Sequence, residues 1–154
     1  MNKRIAFLVV ALMTVVATSV AFAQTAPVQA TIMNKSKVLL SVQGAWTMTM
    51  ANGQDLAGSG QDVLVTITDD KYVQTVNGQV VERGSFKIDE TKKPYGLDIL
   101  IIEGDEAGQK QLAIFELDAT GKNMKVAISQ PGAPVRPSGF AVAEGVETLV
   151  FTRK

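Results

Sequence analysis

The chain of 154 residues contains no cysteine and no histidine. Histidine is the usual general base near neutral pH and the commonest metal ligand, and cysteine is the other strong ligand for zinc. Their absence excludes a Ser-His-Asp triad, a cysteine nucleophile, an ordinary zinc or copper site and any disulfide. Carboxylate-pair catalysis and calcium binding by oxygen ligands require neither residue and remain compatible with the sequence. We therefore predict a protein that is not an enzyme and needs no metal or other cofactor.

A strong charge of either sign is also missing, because 15 basic residues balance 15 acidic ones. Nucleic-acid-binding domains carry an excess of basic residues on one face. Removal of a leader containing Lys3 and Arg4 would leave a net charge of −2, since both residues are basic and the leader has no acid. We therefore expect no nucleic-acid partner.

The N-terminus has the pattern of a secretory signal peptide. Lys3 and Arg4 precede an apolar run, which ends in the small-residue motif Ala21-Phe22-Ala23. The run is shorter than the roughly 20 residues of a membrane span, so a transmembrane anchor is the less favoured alternative. The pattern predicts that residues 1–23 are a leader cleaved after Ala23, and that the mature chain is periplasmic or secreted, with no membrane span.

Residues 24–40 are predicted to be a tether that ends in a short helical turn, which either Asn34 or Ser36 would cap. After Gly44 the apolar residues recur every second position, as in strands with one buried face. Gly84 lies inside one such segment and predicts a bend, a bulge or a close backbone approach. The eight predicted strands cover residues 45–50, 63–68, 71–76, 79–88, 97–104, 110–117, 123–129 and 147–153.

Short turns join most of these strands, and the mature chain has no convincing long helix. This pattern favours an antiparallel sandwich or barrel, and a barrel leaves no open edge for aggregation. We predict that residues 41–154 form an all-β, eight-stranded, antiparallel up-and-down barrel.

The first predicted strand begins with Gly44-Ala45-Trp46, which contains the chain's single tryptophan. These residues match the G-x-W motif of lipocalin-like barrels. The resemblance implies that Trp46 lies across the closed end of the barrel and that a basic residue from the last strand packs on its indole. Arg153 is in the position of that basic residue, where a cation–π contact is favourable. Gly44, Trp46 and Arg153 are therefore the expected closure residues.

A longer stretch, from about Val38 to Lys154, resembles an uncharacterised bacterial lipocalin-like domain family that is abundant in planctomycete-type bacteria. The most specific block runs from Gly84 to Asp98 and includes Thr91-Lys92-Lys93-Pro94. This chain departs from the family pattern at three positions, where Ile67 replaces an aromatic residue, Ala113 a glycine and Phe115 a tyrosine. The resemblance implies the fold and export, and it implies no activity.

The inward face of the predicted barrel is the main question about function. A barrel of eight strands is either filled by its own side chains or holds one small ligand, and the short mature chain favours a nearly filled interior. Trp46, Val65, Ile88, Ile101 and Ile128 are expected inside. The candidate ligand-binding residues, also expected inside, are Met48, Ile67, Tyr72, Phe86, Ile99, Phe115, Val126 and Phe151.

Three polar side chains are further candidates. Arg136 lies between Pro134 and Pro137. It either is held at the barrel mouth to bind a carboxylate or phosphate, or caps loop carbonyls or pairs with an acid. Asp98 and Glu116 either form a catalytic carboxylate pair, or face outward and pair with bases such as Arg83 or Lys125.

We favour a non-catalytic, exported binding module for a small apolar or amphipathic molecule. The alternative is a protein-interaction or inhibitor module with a filled barrel, which would bind an envelope partner through residues 51–60 and 130–139. A carboxylate-based hydrolase is the third and least favoured hypothesis.

Overall fold

The computed structural model describes residues 35–154. The predicted signal peptide, its cleavage site and the first part of the predicted tether lie outside the described residues. The elements are α1 (Lys37–Ser41), β1 (Gly44–Ala51), β2 (Gln54–Asp55), β3 (Val63–Thr68), β4 (Lys71–Val76), β5 (Gln79–Asp89), β6 (Tyr95–Glu103), β7 (Lys110–Leu117), β8 (Asn123–Ser129) and β9 (Val146–Arg153).

The helical turn predicted before the barrel is α1, and Ser36 is its N-cap. The Ser36 hydroxyl accepts a hydrogen bond from the Leu39 amide at 2.9 Å, which satisfies one of the donors that a helix start leaves open. The turn ends at Ser41, and the first strand begins at Gly44. Ser41 is therefore part of α1 and not of the barrel, where the sequence boundary had placed it.

All strand pairs are antiparallel, and eight strands form a closed up-and-down barrel. β1 pairs with β3, each strand from β3 to β8 pairs with the strand that follows it, and β9 pairs back onto β1. In that closing pair Trp46 is opposite Arg153 and Met48 is opposite Phe151. Closure leaves no barrel strand with an unpaired edge, as the sequence pattern predicted.

The ninth strand is a correction to the sequence analysis, which predicted no strand between residues 50 and 63. β2 is a two-residue extension that pairs Met50 with Asp55. Asn52 and Gly53 make the turn between them with φ values of 49° and 79°. Asn-Gly is a strong hairpin signal because both residues tolerate positive φ. Asn77-Gly78, between β4 and β5, has the same signal and also has positive φ at both residues.

The closed end of the barrel is built around Trp46, which is fully buried. Its indole Nε1 donates to the Val42 carbonyl at 2.7 Å, and the Arg153 guanidinium carbon lies 4.2 Å from the ring centroid. Arg153 also donates to the carbonyl oxygens of Ser41, Gln43 and Gly121. One guanidinium thus connects the N-terminal turn, the first strand and the β7–β8 turn.

Gly44 faces this guanidinium. Its backbone has a φ of 105°, which residues other than glycine rarely adopt. A Cβ at this position would also lie 3.4 Å from Nη1 of Arg153. That distance is an ordinary contact, so the glycine of the G-x-W motif is required here by its backbone conformation.

The long connection between β8 and β9, residues 130–145, lies along the outside of the barrel, and we call it the strap. Under it runs a row of outward-facing residues in register across four strands, all of them buried. Their chain neighbours Leu97, Phe115, Val126 and Leu149 point inward. The buried row consists of Gly96, Ile114, Ala127 and Thr148.

Arg136 anchors the strap to the outer wall. Its Nη1 donates to the carbonyl oxygens of Leu97 at 2.8 Å and Ala113 at 2.6 Å, and its Nη2 forms an ion pair with Asp98. A Cβ at Gly96 would lie at ordinary contact distance from this guanidinium, 3.5 Å, and in a tight contact of 3.1 Å with Cβ of Asp89. The structure therefore has the capping and ion-pairing arrangement, and not a guanidinium held at the mouth for a ligand.

Candidate functional site

The barrel interior contains a cavity of about 660 Å³. Every candidate ligand-binding residue lies on its wall, and so do Val65, Ile88 and Ile128. Trp46 and Ile101 are fully buried and do not line it. The eight candidate residues on the wall are Met48, Ile67, Tyr72, Phe86, Ile99, Phe115, Val126 and Phe151.

The expectation of a nearly filled interior is therefore wrong, and so is the filled barrel assumed by the protein-interaction alternative. The buried cluster that includes Val42, Phe115, Met124 and Phe151 packs with Trp46 at the closed end. Inward positions toward the other end carry small or polar residues such as Ala51 and Gln111. These residues line the cavity, so the space between them is open.

The cavity opens at the end opposite Trp46. The connections at this open end are residues 52–62, 77–78, 104–109 and the strap. Asn52, Glu106, Gln130 and Pro131 from these connections line the cavity together with the apolar wall. The base is therefore apolar and the mouth polar, which is the lining that an amphipathic ligand requires.

The sequence analysis missed this polar part of the lining. The signal was present in the strand alternation, because Gln74 lies two residues after Tyr72, and Glu147 lies two residues before Leu149. Side chains two apart in a strand point to the same face. The apolar residues marked only part of the inward face, and the polar residues on the same face continue it toward the mouth.

Tyr72, Glu82 and Gly84 form one unit in the cavity wall. Tyr72 is opposite Gly84 across the β4–β5 pair. A Cβ on Gly84 would lie 2.4 Å from Cε1 of Tyr72 and 2.5 Å from the Leu100 carbonyl oxygen. The ring therefore occupies the space that only glycine leaves, which is the close approach predicted for Gly84.

The Tyr72 hydroxyl extends from this ring toward the open end and donates to Oε1 of Glu82 at 2.7 Å. Burial, followed by the hydrogen bond and the charge of Glu82, raises the pKa of Tyr72 far above its usual value. Tyr72 is therefore a neutral hydrogen-bond donor at any physiological pH. It holds the Glu82 carboxylate in one place on the cavity wall.

The carboxylates proposed for catalysis lie on the outer face. Asp98 is exposed and pairs with Arg136, while its neighbours Leu97 and Ile99 line the cavity. Glu116 is exposed and is opposite Lys125 across the β7–β8 pair. These two carboxylates do not face a common cleft, so the geometry gives the hydrolase hypothesis no support. No group of three or more acidic residues within 35–154 is placed to hold a metal ion.

Fold and site together define a closed, eight-stranded antiparallel β-barrel with an amphipathic cavity that opens at one end. Comparison with protein-family models, curated proteins and solved structures finds no match for the chain. Within residues 35–154, no helix is both long enough and apolar enough to cross a membrane.

Proposed function

We propose that this protein is a non-catalytic, lipocalin-like domain that binds a small apolar or amphipathic molecule inside its barrel. The observation that carries the proposal is the cavity of about 660 Å³ with an apolar base. This volume lies within the range of roughly 300–1,000 Å³ that is typical of small-molecule sites. The flexible Met48 and Met124 side chains on the wall would adapt to the shape of a ligand.

Two features support the lipocalin-like assignment. The barrel runs up and down in chain order, and a tryptophan closes one end with an arginine from the last strand packed on it. The same closure was implied by the sequence resemblance. A rigid closed end favours binding because the apolar base is formed before a ligand arrives, which lowers the entropy lost on binding.

Replacing Val65 by tryptophan is expected to weaken binding of the neutral apolar dye N-phenyl-1-naphthylamine at least tenfold. Val65 is half-buried and lines the cavity, so the indole would occupy the space of the ligand. Thr66→Trp is the matched control, because Thr66 is the next residue of β3 and is exposed. Dye fluorescence titration measures both affinities.

The control should bind the dye within twofold of the unmodified protein. Both variants must unfold at a similar temperature, so that a loss of binding is not a loss of folding. Equal dye affinity for the two tryptophan variants would show that the dye binds elsewhere, and absence of dye binding to the unmodified protein would argue against an apolar site.

Export to the periplasm or the medium is the second part of the proposal, and its support is the leader pattern of residues 1–23. Expression of the full chain in a Gram-negative host should yield a periplasmic or secreted protein that begins at Gln24. Intact-mass measurement tests this, and a protein that retains Met1 in the cytoplasmic fraction would contradict it. Changing Ala23 to arginine should block cleavage while leaving the barrel sequence intact.

A further inference from the structure

The charged residues on the cavity wall are all acidic. Glu82, Glu106 and Glu147 line the cavity, and within the described part of the chain no lysine or arginine does. The remaining polar lining consists of neutral side chains such as Gln74 and Gln111. A carboxylate of a ligand that entered this mouth would therefore meet only negative charges and neutral dipoles.

The open end of the barrel is also more negative than the closed end. The open-end connections carry five carboxylates and a single base, Arg136, which is paired with Asp98. The segments at the closed end, residues 35–43, 69–70, 90–94, 118–122 and 154, carry six lysines against four carboxylates, Asp69, Asp70, Glu90 and Asp118, which leaves a net charge of +2. The five open-end carboxylates are Asp55, Asp62, Asp105, Glu106 and Glu144, and the closed-end lysines are Lys35, Lys37, Lys92, Lys93, Lys122 and Lys154.

This asymmetry produces a field along the barrel axis with its negative end at the mouth. A concave site with low-dielectric walls focuses such a field and concentrates ligands of opposite charge. The sequence balance of 15 acids and 15 bases hides the effect, because the charges cancel over the whole chain and not at the mouth.

Glu82 is the carboxylate best placed to contact a ligand. It is half-buried on the wall, and Tyr72 holds its Oε1 in place. Among the described residues no donor bonds to Oε2, which leaves one oxygen to accept a hydrogen bond from an entering group. Charge-assisted hydrogen bonds to an ionised carboxylate are stronger than neutral ones.

We infer that the cavity selects a cationic amphiphile, with an apolar chain on the base and a protonated amine at the mouth against Glu82, Glu106 and Glu147. This inference rests on the proposed function, because it names the class of ligand for the same cavity. It excludes a fatty-acid carboxylate as the preferred ligand, although such a molecule would match the apolar base equally well.

The test compares three ligands with the same 12-carbon chain below their micellar concentrations at pH 7. Dodecylamine is then protonated, dodecanoate is ionised and dodecanol is neutral. Displacement of N-phenyl-1-naphthylamine gives the three affinities. Dodecylamine should bind at least tenfold more tightly than dodecanoate, with dodecanol between them, and the difference should shrink at high salt.

Two double variants assign the preference to the wall. Glu82→Gln/Glu147→Gln and Glu106→Gln/Glu147→Gln should each reduce the ratio of amine to carboxylate affinity at least fivefold. Both affinities are measured on the same variant, so a general change in cavity affinity cancels from the ratio. The second variant changes only exposed residues and leaves the Tyr72–Glu82 bond intact, so it should fold normally. Asp105→Asn/Glu144→Gln is the control for charge alone, because it removes two open-end acids that do not line the cavity, and it should lower the ratio less than either wall variant.

The outcomes separate the inference from the proposed function. If neither the dye nor any of the three chains binds, the proposed function fails. If dodecanoate binds as tightly as dodecylamine while the dye is displaced normally, the cavity binds apolar molecules and the inference is overturned. A preference for the amine that both wall variants retain would also overturn it, since the carboxylates would then not be its cause.

Discussion

Replacing Arg153 by methionine is expected to lower the free energy of unfolding by about 3–4 kcal/mol, because it removes charged hydrogen bonds worth about 1.5–3 kcal/mol each and a cation–π contact. The Arg153 guanidinium donates to the carbonyls of Ser41, Gln43 and Gly121 and lies over Trp46. Methionine has a similar length and no donor. The three carbonyls would lose their partner at a closed end that water enters only in part.

Arg153→Lys should recover less than half of the loss, since an ammonium group is a point charge without the planar fork that reaches three carbonyls at once. Lys154→Met is the control at the adjacent, exposed position. Urea denaturation followed by the fluorescence of Trp46, the chain's only tryptophan, measures all three variants. A loss below about 1 kcal/mol for Arg153→Met, the size of an ordinary surface effect, would contradict the closing role of this arginine.

Replacing Gly84 by alanine is expected to destabilise the barrel by about 2–3 kcal/mol, in the range of an overpacked core. The new Cβ would lie 2.4 Å from the Tyr72 ring and 2.5 Å from the Leu100 carbonyl oxygen. One of these neighbours is main chain and cannot move without disturbing the β5–β6 pair. Because Tyr72 also holds Glu82, the same change should weaken binding of dodecylamine more than binding of the neutral dye.

Gly139→Ala is the matched control, because no atom lies within 4 Å of a Cβ at that strap position and its φ is not positive. In the Tyr72→Leu background the ring contact is relieved and the Leu100 contact remains. In that background Gly84→Ala should therefore lower the free energy of unfolding by a smaller amount, but still lower it. Chemical denaturation of the four combinations gives the coupling energy. A fully additive result would mean that the Tyr72 ring is not what constrains Gly84.

The sequence alone predicted the strands well because their signals are local. β3, β4, β7 and β8 have the predicted bounds, and the other four barrel strands differ by at most two residues at either end. Alternating side chains and Asn-Gly or Gly-containing turns act within a few residues, so they can be read without knowing the partner strand. The missed strand β2 had the same kind of signal at Asn52-Gly53.

The strap and the acidic mouth were not predicted, because each depends on residues far apart in the chain. Arg136 bonds to carbonyls 39 and 23 residues away. The row that it helps to cover consists of Gly96, Ile114, Ala127 and Thr148, which are aligned only by strand register. A Pro-rich segment such as residues 130–139 carries no local signal for the surface on which it lies.

The amino-acid sequence by itself determined the eight barrel strands, their antiparallel order and the apolar residues that face inward. Only the tertiary structure decided that the interior is a cavity and that its mouth is negative. The register closes β1 onto β9 and shifts by one residue or more near Met48, Gln74 and Arg83. Those shifts set how distant side chains meet inside the barrel. Neither the volume nor the local charge can be read from a pattern within one strand, because both arise where the ends of several strands converge.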